Sequence, residues 1–142
     1  MTRDTLRRTT RSIRRPVDGR PCAITGVGAY RPPKTVSSDE LASRFGVPQG
    51  WIEQRTGITS RHVAGPEESL VAMGTAAGRQ ALGHAGVDES EVDSVLVATM
   101  TNVRQIPALA PALARELGAE RAGAYDINAA CAGFSMGLSD AV

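Results

Sequence analysis

Apolar residues fall along this chain in short blocks whose spacing changes from block to block. The first, Cys22-Ala23-Ile24-Thr25-Gly26, predicts a buried strand closed by turn signals at Gly26, Gly28, Pro32 and Pro33. Ser37 stands three residues before Glu40, the form of a capping box, and predicts a short helix through Phe45 with Gly46 as its terminator. One or two more helical turns, around Trp51 to Arg55, follow Pro48 and stop at Gly57. From Glu68 to Ala85 the residues Leu70, Met73, Ala77 and Ala81 recur at helical spacing, and Gly86 closes the stripe.

After Asp88 to Glu91 the pattern changes to an unbroken apolar run. Val92 to Met100 predicts a strand buried on both faces. Pro107 to Leu117, ending at Gly118, predicts a third helix with a late start, because Pro111 removes a backbone donor. Ala122 to Ile127 is the next strand, and Cys131 opens an apolar, small-residue segment that continues to the last residue. Strands and helices in this alternation predict a layered α/β protein with a mostly parallel sheet.

Composition narrows the function classes. With 142 residues and 42% hydrophobic content, the chain can support one globular core. Aromatic residues make up only 4%, too few for a stacking platform that reads single-stranded nucleic acid. The net charge of +1 hides a basic arm: residues 1–20 hold seven arginines against Asp4 and Asp18, a local +5, so the remainder carries −4. The arm has no apolar face, and it reads as a disordered extension rather than a nucleic-acid or membrane grip. Its Arg-Arg pairs are not followed by the apolar run of an export signal, and no segment approaches a membrane span; the expectation is a cytoplasmic protein. Cys22 and Cys131 need not pair, and no Cys/His cluster suggests a metal.

Candidate chemistry gathers in few places. Gly26-Val27-Gly28 begins like a dinucleotide fingerprint, but Arg31 replaces the third glycine and Pro32-Pro33 forbids an immediate helix, which excludes it. Asp126-Ile127-Asn128-Ala129-Ala130-Cys131-Ala132-Gly133-Phe134 puts a cysteine where a strand turns into a helix, the device that presents a nucleophile. There the free N–H groups and the helix dipole favour thiolate over thiol, and the small neighbours leave room for a thioester. Position alone leaves a second reading open, that of a small buried hydrophobe in a packed bend. Trp51 and Arg55, four apart, share one helical face and could present an indole plate with a phosphate-pairing guanidinium, or be a packed surface pair.

The Ala-Ala-Cys-Ala-Gly-Phe stretch resembles the nucleophile motif of the β-ketoacyl-ACP synthase III family. Trp51-Ile-Glu-Gln-Arg55-Thr-Gly-Ile-x-x-Arg61 independently resembles that family's coenzyme A segment, and Val97 to Asn102 resembles the strand and loop that line its acyl pocket. The resemblance runs from about Ile24 to Val142. It implies a thiolase-like layered αβαβα fold, of which residues 21–142 would form the N-terminal half, as a portion of a longer enzyme. It also implies Cys131 as acyl acceptor, Trp51 and Arg55 on coenzyme A, and Thr99, Met100 and Thr101 around the acyl group. Ile106 would reach across a homodimer to close the neighbouring subunit's pocket. Substrates would be acyl-CoA and malonyl-ACP, with no cofactor and no metal, and the product a β-ketoacyl-ACP that starts a fatty-acid or polyketide chain.

The family's His and Asn, which stabilise the decarboxylation enolate, lie in its C-terminal half. His62 and His84, the two histidines here, match neither and read as surface or capping residues. A related acyl-CoA acyltransferase, a 3-hydroxy-3-methylglutaryl-CoA synthase-like condenser and an inert structural half-domain stand as alternatives.

Overall fold

Among the described residues the first strands are two short ones that no apolar pattern announces. The computed structural model describes residues 22–141, so the basic arm lies outside the described residues. β1 (Thr35–Ser37) pairs antiparallel with β2 (Ser60–His62), Val36 opposite Arg61. Between them lie α1 (Ser38–Phe45) and α2 (Trp51–Thr56). Ser37 caps α1 as its spacing predicts, its hydroxyl accepting the Glu40 N–H at 3.0 Å, and Gly46 ends it in the left-handed conformation.

α3 (Leu70–Ala85) starts two residues later than the apolar stripe suggests. Ser69 takes the capping position, and Glu68 turns its carboxylate back to the Gly65 N–H and the Tyr30 hydroxyl. A short 3-10 turn, Glu89–Glu91, then leads into β3 (Ser94–Ala98), which pairs in parallel with β4 (Gly123–Ile127), Val97 opposite Asp126. α4 (Leu109–Leu117) links the two strands. Pro111 is its third residue, where a backbone N–H has no helical partner to lose, so the late start follows from the chemistry of proline. The chain ends in a second 3-10 turn, Ala130–Ala132, and α5 (Gly133–Asp140).

Strand alternation sorts these elements into layers. Val95, Val97 and Ala124 point toward α4 and form the core with Ala110, Leu113, Ala114 and Ala119. The opposite parity points toward α5: Ala98 lies against Gly133 and Ile127 against Gly137. α3 packs on α4, and the crossing needs small residues, because a Cβ on Gly74 would stand 2.3 Å from Leu113 Cδ1. Helix, sheet and helix layers are thus all present.

Two expectations need correction. Val92 to Met100 is not a strand buried on both faces; only Ser94–Ala98 is strand, and of its residues only Val95 is buried. Its α5 side is partly open, and beyond Ala98 the chain leaves the ladder. The run beginning at Cys22 is not a strand either. It lies along α3, so close that a Cβ on Gly28 would meet the Ala77 carbonyl oxygen at 2.0 Å. Its N–H groups go to helix side chains instead of a neighbouring strand: Val27 donates to His84 Nδ1 at 3.2 Å and Ala29 to Gln80 Oε1 at 2.6 Å.

Candidate active site

Beyond Ile127, the last residue of β4, come Asn128 and Ala129, and then Ala130 with φ of 46°. A side-chain-bearing residue held in the left-handed region costs about 1–3 kcal/mol, so the surroundings must impose it. Ala132 N–H donates to the Ala129 carbonyl at 2.9 Å and Gly133 N–H to that of Ala130, closing the 3-10 turn. Gly133 is buried, and a Cβ there would lie 3.2 Å from Ala98 Cβ, so α5 begins directly against the end of β3.

Cys131 is the middle residue of that turn, exposed and unbridged. It therefore precedes α5 rather than opening it, and in this chain its side chain is not packed away. The N–H of Cys131 takes no part in the turn's own bonds, which use Ala132 and Gly133. A reachable sulfur beside such an N–H, on a bend held in strained geometry, is an arrangement suited to nucleophilic attack on a carbonyl.

Trp51 and Arg55 do meet. The guanidinium carbon stands 4.6 Å from the centre of the indole ring, a cation–π contact between exposed side chains. Their helix is held from α1, where Asp39 Oδ1 accepts the Gly50 N–H at 3.0 Å just ahead of Trp51. α2 packs on α1 and the cysteine bend packs on β3, so the two groups sit on different elements.

The segment that follows β3 is a loop, residues 99–108. Thr99 is half-buried; its N–H donates to the Ile127 carbonyl at 3.1 Å, and its hydroxyl accepts the Thr101 N–H at 3.2 Å. Met100 is 64% exposed and Ile106 88%, with Ile106 joined to Pro107 by a cis peptide bond. At the far end of the loop Ala108 provides no side-chain cap for α4. Asp126 does so from β4, accepting from Leu109 N–H at 2.8 Å and Ala110 N–H at 2.7 Å. Sequence reasoning assigned Asp126 no role; the available signal was a carboxylate within an otherwise apolar strand, which must find donors.

His84 is spent on the backbone of Val27 and His62 on the carbonyl of Pro32, so both tie down chain segments. On the α5 side, burial and then the nearby Asp140 carboxylate, which accepts from the Tyr125 hydroxyl at 3.3 Å, hold the Tyr125 pKa above its ordinary value. Among the described residues no group of three or more His, Cys, Asp or Glu could hold a metal, and no helix is long and apolar enough to cross a membrane.

No protein-family model matches the chain. It is 52% identical over 116 residues to a β-ketoacyl-ACP synthase III of Streptomyces lividans, covering 82% of this chain and 34% of that protein. The crystal structure of the priming β-ketosynthase from the R1128 polyketide biosynthetic pathway superposes with a TM-score of 0.80 at 52% identity, over 83% of this chain and 35% of that one. The chain is a β-ketoacyl-ACP synthase III homologue. Its α/β architecture is that of the thiolase-like enzymes: the 3-oxoacyl-ACP synthase III of Aquifex aeolicus VF5 matches with a TM-score of 0.78 at 34% identity, over 83% of this chain and 38% of that one. This synthase III homologue spans about a third of the length of the relatives it matches.

Proposed function

We propose that Cys131 is the acyl-accepting nucleophile of a β-ketoacyl-ACP synthase III-type enzyme, and that this chain supplies the acyl-loading part of its chemistry. The supporting observation is the exposed thiol on the Ala130 bend, in a chain that is 52% identical to a synthase of that type. In the loading step the Cys131 sulfur attacks the thioester carbonyl of an acyl-CoA. The carbon–sulfur bond to coenzyme A breaks, the coenzyme leaves as a thiolate that takes up a proton, and the acyl group stays on Cys131. Negative charge develops on the carbonyl oxygen, and the Cys131 N–H is the donor this chain offers it.

Trp51 and Arg55 are the grip on coenzyme A, the indole stacking against the adenine and the guanidinium pairing with phosphate. Thr99, Met100 and Thr101 line one side of the acyl group, and Ile106 closes the pocket of a second subunit in a homodimer. Condensation with malonyl-ACP, in which loss of carbon dioxide gives the enolate that takes the acyl group from Cys131, needs a His and an Asn that neither His62 nor His84 supplies. The product would begin a fatty-acid or polyketide chain.

The test uses the protein as its natural gene encodes it. Exposure to a short acyl-CoA should add one acyl mass to the peptide bearing Cys131, and the adduct should vanish in Cys131→Ala. A parent protein that takes up no acyl group, or a Cys131→Ala variant that still does, overturns the proposal.

A further inference from the structure

The two ends of the loop 99–108 are fastened to adjacent residues of β4, Ile127 and Asp126. Its entry is held by Thr99 N–H on the Ile127 carbonyl, and its exit by the two α4 N–H groups on Asp126. Those two residues stand directly ahead of the bend that carries Cys131, and the bend itself rests on Ala98, the residue before Thr99. The Asp126 carboxylate lies on the α4 side of the sheet, opposite the face that meets α5, so it touches neither Cys131 nor the space in front of it. Through the backbone, however, it joins three things: the first turn of α4, the exit of the loop and the strand end from which the bend departs.

We propose that Asp126 is a positioning residue for acyl loading, a single carboxylate that sets the loop 99–108 and the Cys131 bend in register with each other. This rests on the reading of Cys131 as the acyl acceptor. An N-terminal cap supplied from within α4's own segment would hold that helix equally well but would leave the loop free to shift against β4. Supplied from β4, the cap makes any movement of the loop a movement of the strand end that carries the nucleophile. Small displacements of a reacting group are costly in rate: about 1 Å can lower it as much as a hundredfold.

The experiment compares the natural gene product with Asp126→Ala and Asp126→Asn. Asparagine keeps one acceptor oxygen and so one of the two helix bonds, and it also serves should the alanine variant fail to fold. In Asp126→Ala the rate of Cys131 acylation at saturating acyl-CoA should fall by about tenfold or more. The half-saturating concentration should change much less than the rate, because Trp51 and Arg55, proposed to grip coenzyme A, stand on α2. Asp126→Asn should recover part of the rate.

Amide hydrogen exchange provides a readout independent of acyl transfer. In both variants it should quicken at Leu109 and Ala110 and also at Ala132 and Gly133, while α3 stays protected. Exchange that quickens only in the first turn of α4, or an acylation rate unchanged in a folded Asp126→Ala, overturns the proposal. Should the parent take up no acyl group at all, the reading of Cys131 fails, and the exchange at Ala132 and Gly133 alone decides whether Asp126 governs the bend.

Discussion

Arg55 stands over an indole, and among the described residues no carboxylate forms an ion pair with it, so its guanidinium keeps donors for an anion from solution. A charge-assisted hydrogen bond is worth about 1.5–3 kcal/mol, and about 1.4 kcal/mol is tenfold in affinity. Arg55→Ala should therefore raise the acyl-CoA concentration that half-saturates Cys131 acylation by about tenfold or more, with the saturated rate unchanged. Acylation titrations followed by mass spectrometry measure both. Trp51, Arg55 and Cys131 could be named as candidates before any coordinates, because helical spacing and a strand's end leave marks in the sequence, but it was the family resemblance that gave them roles. The positive φ of Ala130 left no mark, and Asp126 left only a carboxylate in an apolar strand, with nothing to name its donors. Alanine carries no preference for the left-handed region, and the donors of Asp126 lie 16 and 17 residues earlier in the chain, so only folding brings them together.

Helices were the legible elements, because their caps are local. Ser37, Gly46, Gly57, Gly86 and Gly118 stop or start helices where their chemistry requires. The segment from Cys22 was misread because an apolar run fits either a strand or a chain lying on a helix, and only the partner decides. The close approach at Gly28 gives this a test. Gly28→Ala sets a Cβ against the backbone carbonyl of Ala77 on α3, whereas Gly74→Ala meets a Leu113 side chain that can adjust. Gly74→Ala should cost about 1–3 kcal/mol. Gly28→Ala should cost more and should also speed exchange of the Val27 and Ala29 amides, as urea unfolding and hydrogen exchange will report.

The same segment is tied down by Tyr30 and Glu68, which makes its docking sensitive to pH. The Tyr30 hydroxyl, and then the Gly65 N–H, hold the Glu68 carboxyl below its ordinary value, while the bond to Glu68 holds Tyr30 above its own. A depressed carboxylate stabilises the fold above its unfolded pKa, about 4.3, and the effect fades as pH falls through the lower folded value. A raised tyrosine contributes below about 10 and loses its effect as pH rises through the higher folded value. Thermal melts should show the parent's advantage over Tyr30→Phe across the range between those limits and its decline on either side.

At the scale of the whole chain, the most informative feature is apolar surface. Val103, Ile106, Phe134 and Met100 are largely exposed, and Met136 and Leu138 follow on α5. Soluble monomers rarely leave such a surface uncovered. The 142 residues expressed alone should therefore bind a hydrophobic dye strongly, and a Phe134→Ser, Ile106→Ser double variant should bind much less; dye fluorescence at constant protein concentration decides. Read as sequence, the chain already specified its α/β class, the ends of its helices and the cysteine on its bend, since each depends on residues close together along the backbone. Which strands pair, which surface receives the Cys22 segment, how Ala130 is strained and what caps α4 were decided only in three dimensions. Those outcomes depend on partners distant in the chain, and no local spacing encodes the free energy of bringing them together.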